Sequence, residues 1–138
     1  MAMPTRPGAP APGAYLEGLN PEQKDAVISV DGPLLVLAGA GTGKTRVLTC
    51  RLAHILNNGM AYPSQILSVT FTNKAAREMK KRIAEIVGAS EAKNLWMGTF
   101  HSVFSRILRS DAEKIGYPQN FTIYDTQDAK NLIKTMLK

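Results

Sequence analysis

A glycine-rich loop between an apolar run and a helical pattern constrains this chain more than any other feature. Residues 33–38 read PLLVLA, a run without alternation that predicts a parallel strand covered on both faces. The loop AGAGTGKT follows at residues 38–45. A helix is predicted from about residue 43 to residue 57, with apolar positions at Val47, Leu48, Leu52, Ile55 and Leu56. Strand, glycine loop and helix in this order predict an α/β fold with a phosphate-binding loop.

The backbone of this loop suits a chain of phosphates. Gly39, Gly41 and Gly43 permit conformations closed to residues with a side chain, so successive N–H groups can converge on phosphate oxygens. The N-terminus of the helix adds the positive end of its dipole. The predicted phosphate-holding residues are Gly39, Ala40, Gly41, Thr42, Gly43, Lys44 and Thr45.

Two side chains of the loop carry chemistry. Lys44 is placed to reach the β- and γ-phosphates, and the hydroxyl of Thr45 is placed to ligate Mg²⁺. They are the predicted catalytic residues, with Thr45 as the metal ligand and a purine nucleoside triphosphate with Mg²⁺ as the cofactors. A glycine-rich turn with a solvated lysine is the alternative, but the flanking strand and helix favour a P-loop.

Local signals extend the alternation of helices and strands. Asn20 with Gln23 fits a capping box that opens a short helix ending near residue 31. Residues 65–71 predict a second strand, which a helix capped by Asn73 and ending at Gly88 follows.

The last third of the chain repeats this order. Residues 94–99 predict a third strand, and Thr99 caps the next helix. That helix carries an apolar stripe of Phe100, Val103, Phe104, Ile107, Leu108 and Ile115. Asp125 caps a final amphipathic helix. The whole pattern predicts a parallel sheet with crossover helices.

Composition limits the classes of protein that remain. The net charge of +6 and the pI near 9.6 favour polyanionic partners. The single cysteine, Cys50, excludes an intramolecular disulfide and fits a small buried hydrophobe. No apolar run approaches the ~20 residues that span a bilayer, and residues 1–18 predict a flexible tail without a secretory signal. A cytoplasmic location without membrane partners is therefore expected.

The residues that would complete hydrolysis are not found. A P-loop enzyme also needs an acidic residue at a strand end, and no predicted strand here ends in aspartate. Asp125 is better explained as a helix cap. We therefore expect the chain, which looks truncated, to bind the nucleotide but to be catalytically incompetent alone.

Four ordered segments resemble motifs of one family. They are LNPEQKDAV at 19–27, AGAGTGKTRVLTCR at 38–51, ILSVTFTNKAAREMKKRI at 66–83 and GTFHS at 98–102. The chain is similar to the N-terminal part of the UvrD/PcrA/Rep group of superfamily 1 DNA helicases. The resemblance implies an incomplete RecA-like ATP-binding domain, 1A, over residues 19–109. Residues 110–138 would begin the helical subdomain 1B.

The resemblance also implies roles for single residues. Gln23 would read the adenine edge, which would make the nucleotide ATP, and Arg46 would lie close to the triphosphate. Six residues at the carboxyl ends of the second and third strands would contact single-stranded DNA. They are Phe71, Thr72, Asn73, Thr99, Phe100 and His101.

Several of these residues have simpler explanations. Phe71 ends an apolar run and Phe100 lies on the apolar stripe, so either ring could be a core aromatic. His101 could be a solvated histidine, and Gln23 doubles as a capping residue. A solvated helix face would explain most of the basic run Lys74, Arg77, Lys80, Lys81 and Arg82.

The resemblance implies an ATP-dependent 3′-to-5′ DNA helicase in bacterial repair or replication. Its partners would be ATP, single-stranded DNA, junctions of single and double strands, and repair proteins, in a cytoplasm where it associates with the nucleoid. Two alternatives stay open, a nucleotide-dependent DNA-binding module without motor activity and the motor part of a helicase-nuclease. The sequence beyond Lys138 would distinguish them.

Overall fold

The computed structural model describes residues 13–39, 41 and 43–138. These residues form two compact units that divide between Val103 and Phe104. Helices and strands alternate along the chain. In order they are α1 (Pro21–Ile28), α2 (Lys44–Asn57), β1 (Leu67–Thr70), α3 (Asn73–Val87), α4 (Ala89–Lys93), β2 (Trp96–Thr99), α5 (Phe100–Asp111) and α6 (Thr126–Met136).

Reciprocal capping fixes the start of α1. The backbone N–H of Gln23 donates to Oδ1 of Asn20 at 2.8 Å, and the backbone N–H of Asn20 donates to Oε1 of Gln23 at 3.0 Å. The predicted capping box is confirmed, although α1 ends at Ile28, before the predicted residue 31. Nη1 of Arg51, on α2, donates to the carbonyl oxygens of Ala26 and Ser29, both at 2.7 Å. These bonds satisfy carbonyl groups at the end of α1 and join it to α2.

The sheet consists of two parallel strands in the described part of the chain. β1 pairs with β2, and Leu67 lies opposite Trp96 while Thr70 lies opposite Thr99. Helix α3 makes the crossover between them, as a parallel connection requires. The predicted α/β class is confirmed. β1 is shorter than predicted at both ends, whereas β2 begins two residues later and ends at Thr99 as predicted.

The core lies between α2, α3, α4 and the sheet. Its buried cluster consists of Leu52, Met79, Ile83, Ala92 and Leu95. Cys50 is also buried, as predicted. Leu52 comes from α2, Met79 and Ile83 from α3, Ala92 from α4, and Leu95 from the turn before β2, so the cluster packs α2 and α3 together.

The strand predicted at residues 33–38 is wrong. This segment has no strand assignment, and Leu35 and Leu37 are 82% and 87% exposed. In the described residues the only strand pairing is between β1 and β2. An apolar run forms a buried strand only where neighbours bond its edges and layers cover its faces, and residues 33–38 have neither here.

Helix α3 begins one residue earlier than predicted. The residue that caps this helix is Thr72, whose Oγ1 accepts from the backbone N–H of Ala75 at 3.1 Å, and Asn73 is the first helical residue. Sequence reasoning chose the wrong one of two adjacent residues that both cap helices well. The predicted end at Gly88 is confirmed, where φ is 98°.

The second unit begins at Phe104 and contains the rest of α5 and α6. Helix α5 ends at Asp111, and a 3₁₀ turn, Ala112–Ile115, replaces the predicted continuation. Asp125 caps α6, as predicted, and the Asp128 carboxylate accepts from its backbone N–H in return. The guanidinium of Arg109 lies 4.6 Å from the centre of the Phe121 ring. Among the described residues, no helix is long and apolar enough to cross a membrane.

Candidate functional site

Two glycines of the predicted phosphate loop have left-handed backbone conformations. Gly41 and Gly43 adopt φ angles of 75° and 81°, in the left-handed region that favours glycine. Gly43 precedes α2 as its N-cap, and among the described residues no side-chain capping bond is made there. The first N–H groups of α2 are therefore left without a side-chain cap, as an anion site requires. Ala40 and Thr42 lie outside the described residues.

The two side chains predicted to act on the phosphates begin α2. Lys44 is the first helical residue and is exposed, and Thr45 is half-buried beside it. Gly39 is exposed at the other end of the loop. The donor set of backbone N–H groups, an ammonium and a hydroxyl fits a nucleoside triphosphate with Mg²⁺.

Gln23 lies next to the loop. A Cβ placed on Gly43 would lie 3.1 Å from Nε2 of Gln23. The Oε1 atom of the same amide accepts from Asn20, so the capping box holds this side chain with its nitrogen close to the end of the loop. The Gln23 side chain thus caps α1 and borders the phosphate loop. Local sequence signals predict only the capping role.

Arg46 contacts the segment that precedes α1. Its Nη2 atom donates to the carbonyl oxygen of Glu17 at 2.9 Å. Burial raises the pKa of the Cys50 thiol, and the nearby Arg46 charge opposes that rise. An open cavity of about 400 Å³ lies beside these residues. It is lined by Ala14, Tyr15, Glu17, Arg46, Thr49, Cys50, Arg82, Glu85 and Ile86.

Sequence reasoning missed the part of this site that precedes α1. Residues 13–18 were assigned to the tail, yet a 3₁₀ turn forms at Ala14–Leu16. The hydroxyl of Tyr15 lies 2.9 Å from Nδ1 of His54 on α2. An aromatic residue inside a stretch of proline, alanine and glycine was the signal that could have found this contact.

Two aromatic rings meet where the parallel strands end. Phe71 follows β1, Phe100 follows β2, and their ring centres are 5.3 Å apart with planes tilted by 49°. Phe71 is 91% exposed, so it is not the core aromatic that its apolar run allowed. Phe100 is 39% exposed. Exposed rings paired at this edge form a surface on which nucleic-acid bases could stack.

The polar residues predicted to accompany these rings differ in accessibility. Thr72, Asn73 and His101 are exposed. Thr99 is buried, and its Oγ1 accepts from the backbone N–H of Ser102 at 3.2 Å. The structure therefore brings the six predicted residues to one edge of the sheet, but Thr99 uses its hydroxyl to cap α5.

Comparison with known proteins identifies the family. Residues 19–138 match the UvrD/REP helicase N-terminal domain. The chain is 54% identical over 125 residues to the ATP-dependent DNA helicase PcrA of Staphylococcus aureus (strain Mu50), and equally identical to the PcrA of Staphylococcus epidermidis (strain RP62A). Each alignment covers 91% of this chain and 17% of the relative. The chain thus spans about a sixth of the relatives' length and belongs to the UvrD/REP helicase family, to whose N-terminal domain it corresponds.

Proposed function

We propose that this chain is the nucleotide-binding and single-strand-contacting N-terminal part of an ATP-dependent 3′-to-5′ DNA helicase. The observation that carries the proposal is the pair of left-handed glycines, Gly41 and Gly43, directly before α2, whose N-cap among the described residues makes no side-chain capping bond. Family membership supports the same activity, since the named PcrA relatives are ATP-dependent DNA helicases.

Different residues around the loop would bind the phosphates and the Mg²⁺ ion. The N–H groups at the start of α2 and the ammonium of Lys44 would bind the phosphates, and the hydroxyl of Thr45 would ligate the metal. Nε2 of Gln23, close to Gly43, supports a contact of this amide with the nucleotide. Arg46 would have to leave the Glu17 carbonyl to approach it. Bound ATP supplies the phosphoanhydride bond whose hydrolysis drives movement along DNA.

The aromatic pair supplies the contact with the strand. Bases of single-stranded DNA would stack on Phe71 and Phe100, at about 1–3 kcal/mol for each base. Thr72 and Asn73, at the start of α3, would present polar groups to the adjacent phosphate. The whole protein would also bind junctions of single and double strands, and repair proteins. It would act in bacterial repair or replication, in the nucleoid.

A strand-displacement assay on the full-length protein tests this proposal. We expect unwinding of a duplex that carries a 3′ single-stranded tail, with little unwinding from a 5′ tail, and loss of unwinding in Lys44→Ala. We also expect the 138-residue chain alone to show no ATP turnover. Equal unwinding from the 3′ and the 5′ tail would contradict the proposed 3′-to-5′ direction. Mg²⁺-dependent turnover by the chain alone that Lys44→Ala abolishes would refute its incompetence.

A further inference from the structure

Helix α3 carries four cationic side chains on one flank. Lys74, Arg77, Lys80 and Lys81 are all exposed. At about 100° of rotation per residue, the four fall within an arc of about 120°. In the described part of the chain, none of them makes a salt bridge. These four residues are termed the α3 stripe.

The other flank of α3 has its charges compensated. Nη2 of Arg82 lies 2.6 Å from Oε1 of Glu78, one turn earlier. Arg82 and Glu85 both line the cavity beside α2. The basic run of the sequence therefore separates into two parts, because Arg82 is paired with an acid while the α3 stripe is not.

The α3 stripe opposes the intrinsic stability of its own helix. The first turn of α3 contains no acidic residue, and Lys74 lies there at the positive end of the helix dipole. Arg77 has cationic neighbours three residues before it and three and four residues after it, and each such pair costs about 0.2–0.5 kcal/mol. An anionic partner would reverse both penalties, whereas solvent only screens them.

The α3 stripe begins beside the aromatic pair. Lys74 follows Phe71 by three residues, and Thr72 between them caps the helix. From there the stripe runs away from the rings and back alongside the sheet, against which α3 packs. The helix rises 1.5 Å per residue and places Lys74 and Lys81 about 10 Å apart along its axis. This arrangement suits an extended polyanion that passes the rings and continues along the helix.

We propose that the α3 stripe binds the phosphate backbone of the single DNA strand whose bases stack on Phe71 and Phe100. This inference rests on the proposed function and extends it, since it assigns phosphate binding to residues of the 66–83 segment that are not among the six predicted DNA contacts. The positive charges position the strand without reading its sequence.

The test is the salt dependence of single-strand binding by the full-length protein, measured by fluorescence anisotropy with a labelled oligo(dT). Glutamine keeps the helix propensity of lysine and arginine while it removes the charge. In Lys74→Gln/Arg77→Gln/Lys81→Gln, we expect the slope of log K against log salt to become shallower by about 2, at about 0.7 for each phosphate contact.

Two single variants provide the matched comparison on the same helix. We expect Arg77→Gln to reduce the slope by about 0.7 and Arg82→Gln to leave it unchanged. Arg77→Lys, which keeps the charge, should retain the slope of the unaltered protein.

Other outcomes separate this inference from the proposed function. If the triple variant keeps the unaltered slope while Phe71→Ala/Phe100→Ala weakens binding, the α3 stripe is a solvated face and the proposed function stands. If Arg77→Gln and Arg82→Gln reduce the slope equally, any positive charge on α3 contributes and the α3 stripe is not a specific binding surface. Loss of duplex binding alone would overturn the single-strand assignment. If neither the stripe variant nor the aromatic variant changes binding, both proposals fail.

Discussion

Gln23 serves two neighbours through the two ends of one amide. Its Oε1 atom caps α1 by accepting from Asn20, and its Nε2 atom borders Gly43 at the end of the phosphate loop. A carboxylate at this position would keep the acceptor and lose the donor. The two roles can therefore be separated by substitution.

We expect Gln23→Glu to retain the thermal stability of the protein and to weaken ATP binding about ten-fold. Glutamate completes a capping box as well as glutamine does, but it places a negative charge beside the phosphates. Gln23→Ala should lose both the cap and the ATP contact. Calorimetric titration with ATP and GTP, paired with thermal unfolding, measures both effects. Tight ATP binding by Gln23→Glu would remove Gln23 from the nucleotide site.

Phe71 provides the second residue-scale prediction. Because its ring is 91% exposed, Phe71→Ala should leave the free energy of unfolding within about 0.5 kcal/mol of the original. Loss of a stacked base should weaken oligo(dT) binding by about 1–3 kcal/mol. Denaturant unfolding and anisotropy on the full-length protein measure the two quantities. A marked loss of stability with unchanged DNA binding would make Phe71 a structural residue.

At the scale of elements, three helix boundaries agree with the sequence. Asn20, Gly88 and Asp125 end or begin their helices where the sequence predicts, since a cap depends on a few adjacent residues. The predicted strand at 33–38 is wrong because a strand depends on partners remote in sequence. The pairing of Phe71 with Phe100 could not be predicted for the same reason, since it needs the register of β1 on β2.

The cap of α3 gives a prediction at this scale. Thr72→Ala should lower the free energy of unfolding by about 1 kcal/mol, because the N–H of Ala75 loses its acceptor. Asn73→Ala is the matched control, as Asn73 lies inside the helix and makes no cap. Urea unfolding of the two variants measures the difference. If both variants lose the same free energy of unfolding, Thr72 is not the dominant cap of α3.

Gly98, within β2, lies close to the first turn of α5. A Cβ at this position would lie 2.5 Å from Oγ of Ser102 and 3.2 Å from Cγ2 of the buried Val103. We expect Gly98→Ala to destabilise the first unit by about 1–3 kcal/mol through overpacking. Gly98→Ala/Ser102→Ala should recover part of this loss in thermal unfolding. No recovery in the double variant would show that the clash lies elsewhere.

At the scale of the whole molecule, the described residues bring together two proposed sites within the first unit, residues up to Val103. The phosphate loop precedes α2, and the aromatic pair lies at the ends of β1 and β2. The family and the α/β class followed from ordered motifs, which are local in sequence. The contact of Tyr15 with His54 could not be predicted, because the composition of residues 1–18 predicts a flexible tail.

ATP turnover by the full-length protein, with and without a single-stranded oligonucleotide, tests most directly whether this chain couples nucleotide to DNA. We predict Mg²⁺-dependent hydrolysis that single-stranded DNA stimulates and that Lys44→Ala reduces to background. Lys93→Ala, which removes an exposed charge on α4, is the control and should keep the unaltered rate. Turnover by Lys44→Ala at the unaltered rate, or turnover indifferent to DNA, would contradict the proposed function.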